Sequence, residues 1–284
     1  MKTNHQITRP ATGAGKWFPG TKQALKQAIG GYLEDAFVPE IESRILAVIA
    51  PHAGYLYSGP VAGYAYRALR ENSNLHGAPD TVVVLGFSHR GLCQGVAFMD
   101  GDAFSTPLGE TPLDNDTATA LLEADPRFRF DYRPHMGEHS AENQVPFIQT
   151  ALPSASLVMT MIGPNDPTLL DALAIALDKL ADKKKILVIA SSDMLHDPSY
   201  EKVRKTDQAT LRKVGGMDIT GLMHDWDYSQ QIFCGIGPVV TAMNYAQRRG
   251  CNKGMVLRYR NSGDDFPESR GEWVVGYGAA AFTV

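Results

Sequence analysis

Three histidines follow apolar runs that read as buried β-strands: His52 after 45–50, His89 after 81–86, and His196, with Asp193, after 185–190. In an open α/β sheet, side chains just past the carboxyl ends of parallel strands gather in one crevice, so imidazoles remote in sequence can converge there. Imidazole is a common metal ligand and also carries protons near neutral pH. Cys234, in Phe233-Cys234-Gly235-Ile236-Gly237-Pro238, adds a thiol just ahead of a segment that reads as a helix start, where the dipole can favour thiolate. Histidines, a thiol and a nearby aspartate together suggest a bound metal ion. Taken singly, each loop histidine is more readily a polar residue with a hydrogen-bond partner, so joint placement carries the argument. His139, with Glu142 three residues on, reads equally as a helix-start donor or as a residue behind the site. His135 lies four residues before His139, but Gly137 interrupts the helical spacing and His135 is left out of the set.

The elements that must position these groups follow an α/β pattern. A glycine- and proline-rich opening at 9–20, carrying Trp17 and Phe18, leads into a helix over 21–33 capped by Thr21. A helix over 60–69 follows the first strand, with Pro60 in its first turn. Val82–Leu85 is an apolar run of the kind buried on both faces, and 91–100 reads as a further strand. Helices are expected over 115–124 and 138–152, with Pro146 marking a start or a kink in the second. Strand 157–162, helix 169–180 and strand 186–190 form one parallel unit, the strongest signal of fold class. Helices over 200–214, 229–233 and 238–249 come next, and strands over 255–259 and 273–282 close the chain.

Composition narrows the function classes. The chain has 284 residues, 44% of them hydrophobic, and a formal net charge of -4, which suits one large α/β domain. Its short basic clusters lack interleaved aromatics, so no nucleic-acid partner is expected. Three cysteines without CxxC spacing fit a reducing compartment, the cytoplasm by expectation. The polar start, residues 1–5, and the absence of a long apolar run argue against a signal peptide or membrane anchor. Gly13-Ala14-Gly15-Lys16 lacks the spacing and preceding strand of a phosphate loop, and no Gly-x-Ser-x-Gly elbow supports a serine hydrolase.

Ala50-Pro51-His52-Ala53-Gly54-Tyr55, Gly86-Phe87-Ser88-His89, Glu138-His139-Ser140-Ala141-Glu142, Ser191-Ser192-Asp193-Met194-Leu195-His196, Cys234-Gly235 and Tyr259-Arg260-Asn261-Ser262-Gly263-Asp264 together resemble the ordered motifs of the Memo family. Gly15-Lys16-Trp17-Phe18-Pro19 and Val274-Val275-Gly276-Tyr277 extend the likeness over nearly the whole chain. That family includes an animal mediator of cell motility and the microbial AmmeMemoRadiSam system protein B. Its fold is similar to that of class III extradiol dioxygenases of the LigB type. The resemblance implies a three-layer α/β/α sandwich with a mixed, largely parallel sheet. It selects His52, His89 and Cys234 as metal ligands, and His196 with Asp193 as a proton-handling pair. His139, Tyr55 and Trp17 are then pocket or supporting residues.

The function so implied is a metal-dependent, redox-active, dioxygenase-like enzyme for a small, aromatic substrate. The expected ion is divalent, iron(II) first and copper or zinc next, because a thiolate replaces the carboxylate of the usual two-histidine iron site. The rival reading is a non-enzymatic metal-binding or peptide-binding protein. On either reading the crevice takes a small molecule or a peptide.

Overall fold

The computed structural model describes residues 6–284, so the polar segment 1–5 lies outside the described residues. A nine-stranded mixed sheet runs in the order β10 (His196–Asp197), β12 (Val274–Thr283), β2 (Ile45–Ala50), β9 (Ile186–Ser191), β3 (Thr81–Phe87), β8 (Ser156–Ile162), β4 (Val96–Phe98) and β7 (Phe128–Phe130), while β11 (Gly254–Asn261) pairs along β12. A three-stranded sheet joins β1 (Thr8–Pro10), β5 (Ala103–Thr106) and β6 (Gly109–Pro112). The strands leading to His52, Asp193 and His89 are β2, β9 and β3, which are adjacent and parallel. Their carboxyl ends therefore meet at one edge, as the sequence predicts.

Alternation along these strands builds the layers. Val83 and Leu85 of β3 join one hydrophobic cluster, and Val82 and Val84 join the other. The first cluster is completed by α3 (Asn115–Leu122), α5 (Pro167–Ala181), α7 (Ile219–Asp225) and α8 (Ile236–Arg248), through residues such as Leu173, Val239 and Met243. The second is completed by α1 (Lys22–Asp35), α2 (Tyr55–His76) and α4 (Val145–Ala151), through Leu25, Tyr66 and Phe147. Apolar side chains on both faces of the central strands demand cover on both sides, and helices supply it. The result is an α/β/α sandwich.

Several boundaries differ from the sequence expectations. Helix α2 begins at Tyr55, five residues early, because the Tyr55 amide donates to the Trp17 carbonyl and Ser58 Oγ to the Ala53 carbonyl. Pro60 consequently lies inside the helix. The expected helix over 138–152 shrinks to α4 plus a 3-10 turn at Glu142–Gln144, with Pro146 in the first turn, so His139 is on a turn. Residues 229–233 are not helical, since the Asp227 carboxylate accepts from the Ser229 and Gln230 amides and closes a side-chain turn instead. Strands β1, β5, β6, β7 and β10 were not anticipated; each is four residues or fewer.

Helix α6 (Tyr200–Gly215) holds the turn that carries Asp193 and His196. The fully buried Asp207 accepts from the Leu195 amide (3.2 Å) and from the Tyr259 hydroxyl (3.0 Å). Gly276 permits this approach, because a Cβ there would collide with Asp207 Oδ2. Burial pushes the Asp207 carboxyl up to about 8, so the folded protein holds a proton that the unfolded chain releases near the usual carboxylate value. Folded stability from this group is full at low pH and declines as pH rises from about 4 to about 8. In urea unfolding between pH 5 and 8, wild type should lose up to ~1.4 kcal/mol per pH unit relative to Asp207→Asn, which mimics the protonated acid. Parallel pH profiles would show that the acid is already ionised in the native state.

Candidate functional site

The turn after β2 is tied to the turn after β9. Asp193 Oδ1 accepts from the His52 amide (2.8 Å) and the Ala53 amide (3.2 Å). His52 is buried, with Nδ1 3.0 Å from Ser191 Oγ. The single Ser191 hydroxyl proton goes to the Ser140 carbonyl, and Gln144 Nε2 donates to the same oxygen at 2.7 Å. Ser191 Oγ can therefore only accept from the ring, which places the His52 proton on Nδ1 and leaves Nε2 with its lone pair free. Burial, reinforced by His89, holds His52 well below the ordinary imidazole range, so it is neutral.

His89, past the end of β3, is oriented by a carboxylate. Glu138 Oε1 lies 2.8 Å from His89 Nδ1, and Oε2 accepts from the His89 amide at 2.9 Å. The His139 and Ser140 amides also donate to Oε1, at 2.9 and 3.0 Å. Burial opposes ionisation of Glu138, but the His89 bond and charge, with the Ser140 amide, hold its carboxyl down at about 2. Gly86 allows this turn to approach β3, since a Cβ there would press on Ser140 and Ala141. Glu138 and Ser191 were not singled out from the sequence. A carboxylate adjoining His139 was the available signal, yet only the fold aims it at His89.

His139 joins the group by stacking. Its ring lies parallel to His89, with centroids 4.6 Å apart, and to Trp17 on the other side at 3.9 Å. Burial first, then His52 and His89, lower its pKa to about 3. Trp17 is fixed because its carbonyl accepts from the Tyr55 amide (2.8 Å), while the Thr12 and Gly13 amides donate to the Glu142 carboxylate. Tyr55 itself is buried against Phe18 and Phe147 and gives its hydroxyl proton to the Asn143 carbonyl. It positions Trp17 from within the core and does not line the mouth.

Cys234 reaches His52 from just ahead of α8. Its Sγ lies 3.4 Å from His52 Nε2, 3.6 Å from Ser192 Oγ and 3.5 Å from the Asp193 carbonyl. The one thiol proton has two acceptors in reach, the Asp193 carbonyl and the unprotonated His52 Nε2. Without an ion, burial, and next the Asp193 charge, push the thiol well up, against the dipole of α8. Ligand atoms of His52, His89 and His139 lie within 4.8 Å of one another, as do those of His52, Asp193 and Cys234. His52 belongs to both groups, whereas His89 and Cys234 share neither.

His196 stands beside this pair of clusters. Its Nε2 is buried without a partner, and burial lowers its pKa although the Asp193 charge acts the other way. Asp193 acts on His196 through its charge, while its Oδ1 accepts from the His52 and Ala53 amides. His135 is apart from both clusters, with Nε2 3.2 Å from the Ala97 carbonyl. A cavity of about 280 Å³ opens beside His196 and Cys234, walled by Trp273, Tyr228, Ser229 and Gln231. Among the described residues no helix is long and apolar enough to cross a membrane.

Residues 9–281 match the model of the Memo-like protein family. The chain belongs to the Memo family. A MEMO1 family protein of Sulfurisphaera tokodaii is 34% identical over 289 aligned residues, covering 97% of this chain and 99% of that one. One from Methanopyrus kandleri is 31% identical, covering 95% and 96%. A crystal structure of an uncharacterized protein from Escherichia coli K12 superposes with a TM-score of 0.54 over 84% of this chain and 99% of that one, at 13% identity, a likeness of fold alone.

Memo-family membership and the buried, protonated thiol give a direct test. All three cysteines are buried, so a variant keeping only Cys234 should react with an aromatic disulfide reagent at pH 7.5 on the order of 100-fold more slowly than after unfolding. Rapid reaction of the folded, metal-free protein would restore the thiolate.

Proposed function

We propose that this Memo-family protein is a metal-dependent, redox-active enzyme that acts on a small substrate with dioxygenase-like chemistry, and that its ion is iron(II), with copper or zinc as alternates. The observation that supports this reading most is the fixed orientation of the imidazoles. His52 and His89 each commit Nδ1 to a buried partner, Ser191 or Glu138, and turn Nε2 away from it. Metal-binding histidines are commonly held by such partners, which fix the tautomer and raise ligand basicity. His139 supplies a third ring nitrogen already within reach, and its neutral state at physiological pH suits ligation. The residues therefore fit a divalent ion of the kind that imidazole accommodates.

Cys234 has a conditional place in this reading. Its proton must leave before sulfur can ligate, so the three imidazoles would hold a borderline ion such as iron(II), and the Cys234 thiolate would join them for a soft ion such as copper(I). A bound ion of this kind would supply Lewis-acid and redox activation of a small ligand. The chain's own contribution is His196 in the cavity wall, whose imidazole can take or give a proton. Trp17, stacked on His139, holds that ring in place.

Metal titration of single variants tests the assignment. His52→Ala and His89→Ala should abolish iron(II) binding, and Ser191→Ala should weaken it by about 10–100-fold. Cys234→Ser should leave iron(II) affinity nearly unchanged while weakening copper(I). His196→Ala should keep the ion and lose any turnover. Iron retained by both His52→Ala and His89→Ala would end the metal reading.

A further inference from the structure

A narrow cavity elsewhere in the fold brings sulfur and imidazole together. Met159 and Met161 lie two residues apart on β8, and Met99 directly follows β4, whose Ala97 pairs with Met161. The Met99 amide donates to the Met159 carbonyl at 2.9 Å, which extends that antiparallel pairing. All three side chains are buried in the cluster completed by α1, α2 and α4, so they project from one face of the sheet. With Tyr132, His135 and Glu138 they wall a cavity too narrow for a water molecule.

His135 adds a nitrogen that the fold leaves unsatisfied. Its Nε2 lies 3.2 Å from the Ala97 carbonyl, which can only accept, so the ring proton is on Nε2 and Nδ1 keeps its lone pair. Nδ1 is buried and has no partner among the described residues. Buried acceptors of this kind are ordinarily met by a protein donor or an ordered water, and this cavity does not admit water. An ion stripped of its hydration shell is smaller, and thioether sulfur beside imidazole nitrogen suits a soft one. The Ala97 carbonyl sets the tautomer of His135 as backbone carbonyls do for metal-binding histidines. The sulfurs are available too: the Ser140 hydroxyl gives its proton to the Phe87 carbonyl at 2.8 Å, which leaves Met161 Sδ, 3.6 Å away, free. No lysine or arginine stands in the wall to repel a cation, and Arg9, over the Tyr132 ring, is paired with Asp100 at 2.7 Å.

We infer that this cavity is a second metal site, specific for a bare soft monovalent cation such as copper(I), held by His135 Nδ1 and the thioethers of Met99, Met159 and Met161. The inference goes beyond the proposed function, since none of these donors belongs to either cluster around His52. Thioethers carry no proton to lose, so the site loads without the deprotonation that Cys234 requires. Zinc(II) and iron(II), which favour harder or anionic donors, are discriminated against here.

Anaerobic titration of the full-length chain with copper(I), in competition with bicinchoninate, tests this. Met159→Leu combined with Met161→Leu, a volume-conserving pair, should lower the copper(I) bound by one equivalent in wild type and again in Cys234→Ser. Met159→Leu alone and His135→Gln should each weaken that equivalent at least about tenfold. X-ray absorption at the copper edge should show sulfur neighbours in Cys234→Ser that disappear when the two leucines are added. Zinc(II) titration should show no equivalent that depends on the methionines. Copper(I) binding unchanged by the leucine pair, a copper shell of nitrogen and oxygen alone in Cys234→Ser, or a zinc(II) equivalent lost with the methionines would each overturn the site. Iron(II) loading is read separately in the same variants, so loss of the methionine site with iron binding intact would sink this inference alone. Methionine-dependent copper(I) binding in a chain that takes no iron would instead sink the iron reading.

Discussion

A buried carboxylate on Glu138 is the constraint around which the histidines are arranged. Leaving an anion away from water costs several kcal/mol unless charge-assisted hydrogen bonds replace hydration. Here the replacements come from the His89 ring, the His89 amide and the amides of His139 and Ser140. One side chain thus fixes the loop after β3 against the turn that carries His139. Ser191 plays the corresponding part for His52, and Asp193 clamps the His52 turn to the end of β9. Three adjacent parallel strands make these short links feasible, since their ends emerge side by side.

The same arrangement makes His52 common to two groups. Trp17, His139 and His89 form a stack of near-parallel rings. Cys234, from the second group, and His196 border a cavity walled by Trp273 and Tyr228. Chemistry that requires both an ion and an organic ligand needs this kind of division, with nitrogen donors held in place and open space next to them. Asp207 contributes from a distance by holding the Leu195 amide, and hence the backbone leading to His196, against α6.

Much of this was legible in the sequence where the signal was local. Val82–Leu85 could only be a strand buried on both faces, and the parallel unit from 157 to 190 set the direction of the sheet. From those two facts the convergence of His52, His89 and Asp193 followed. The family resemblance added the choice of His52 and His89 among eight histidines. What could not be read was set by tertiary contacts. The turn at His139 looked helical because its residues suit a helix, but Glu138 captures the amides of His139 and Ser140 that a helix start would leave free. Cys234 looked activated because helix dipoles are visible in sequence and burial is not. The loop at 226–233 gave no sign of lining a cavity, since its partner Trp273 is 40 residues further on.

Extended X-ray absorption at the iron edge, on protein loaded with iron(II) under anaerobic conditions, tests the central claim most directly. Three imidazoles should give a first shell of nitrogen or oxygen scatterers with the outer-ring multiple scattering of imidazole and no sulfur shell, and that spectrum should be unchanged in Cys234→Ser. A sulfur shell that disappears in Cys234→Ser, with the imidazole contribution unaltered in His139→Ala, would contradict the account by placing Cys234 and not His139 on the ion.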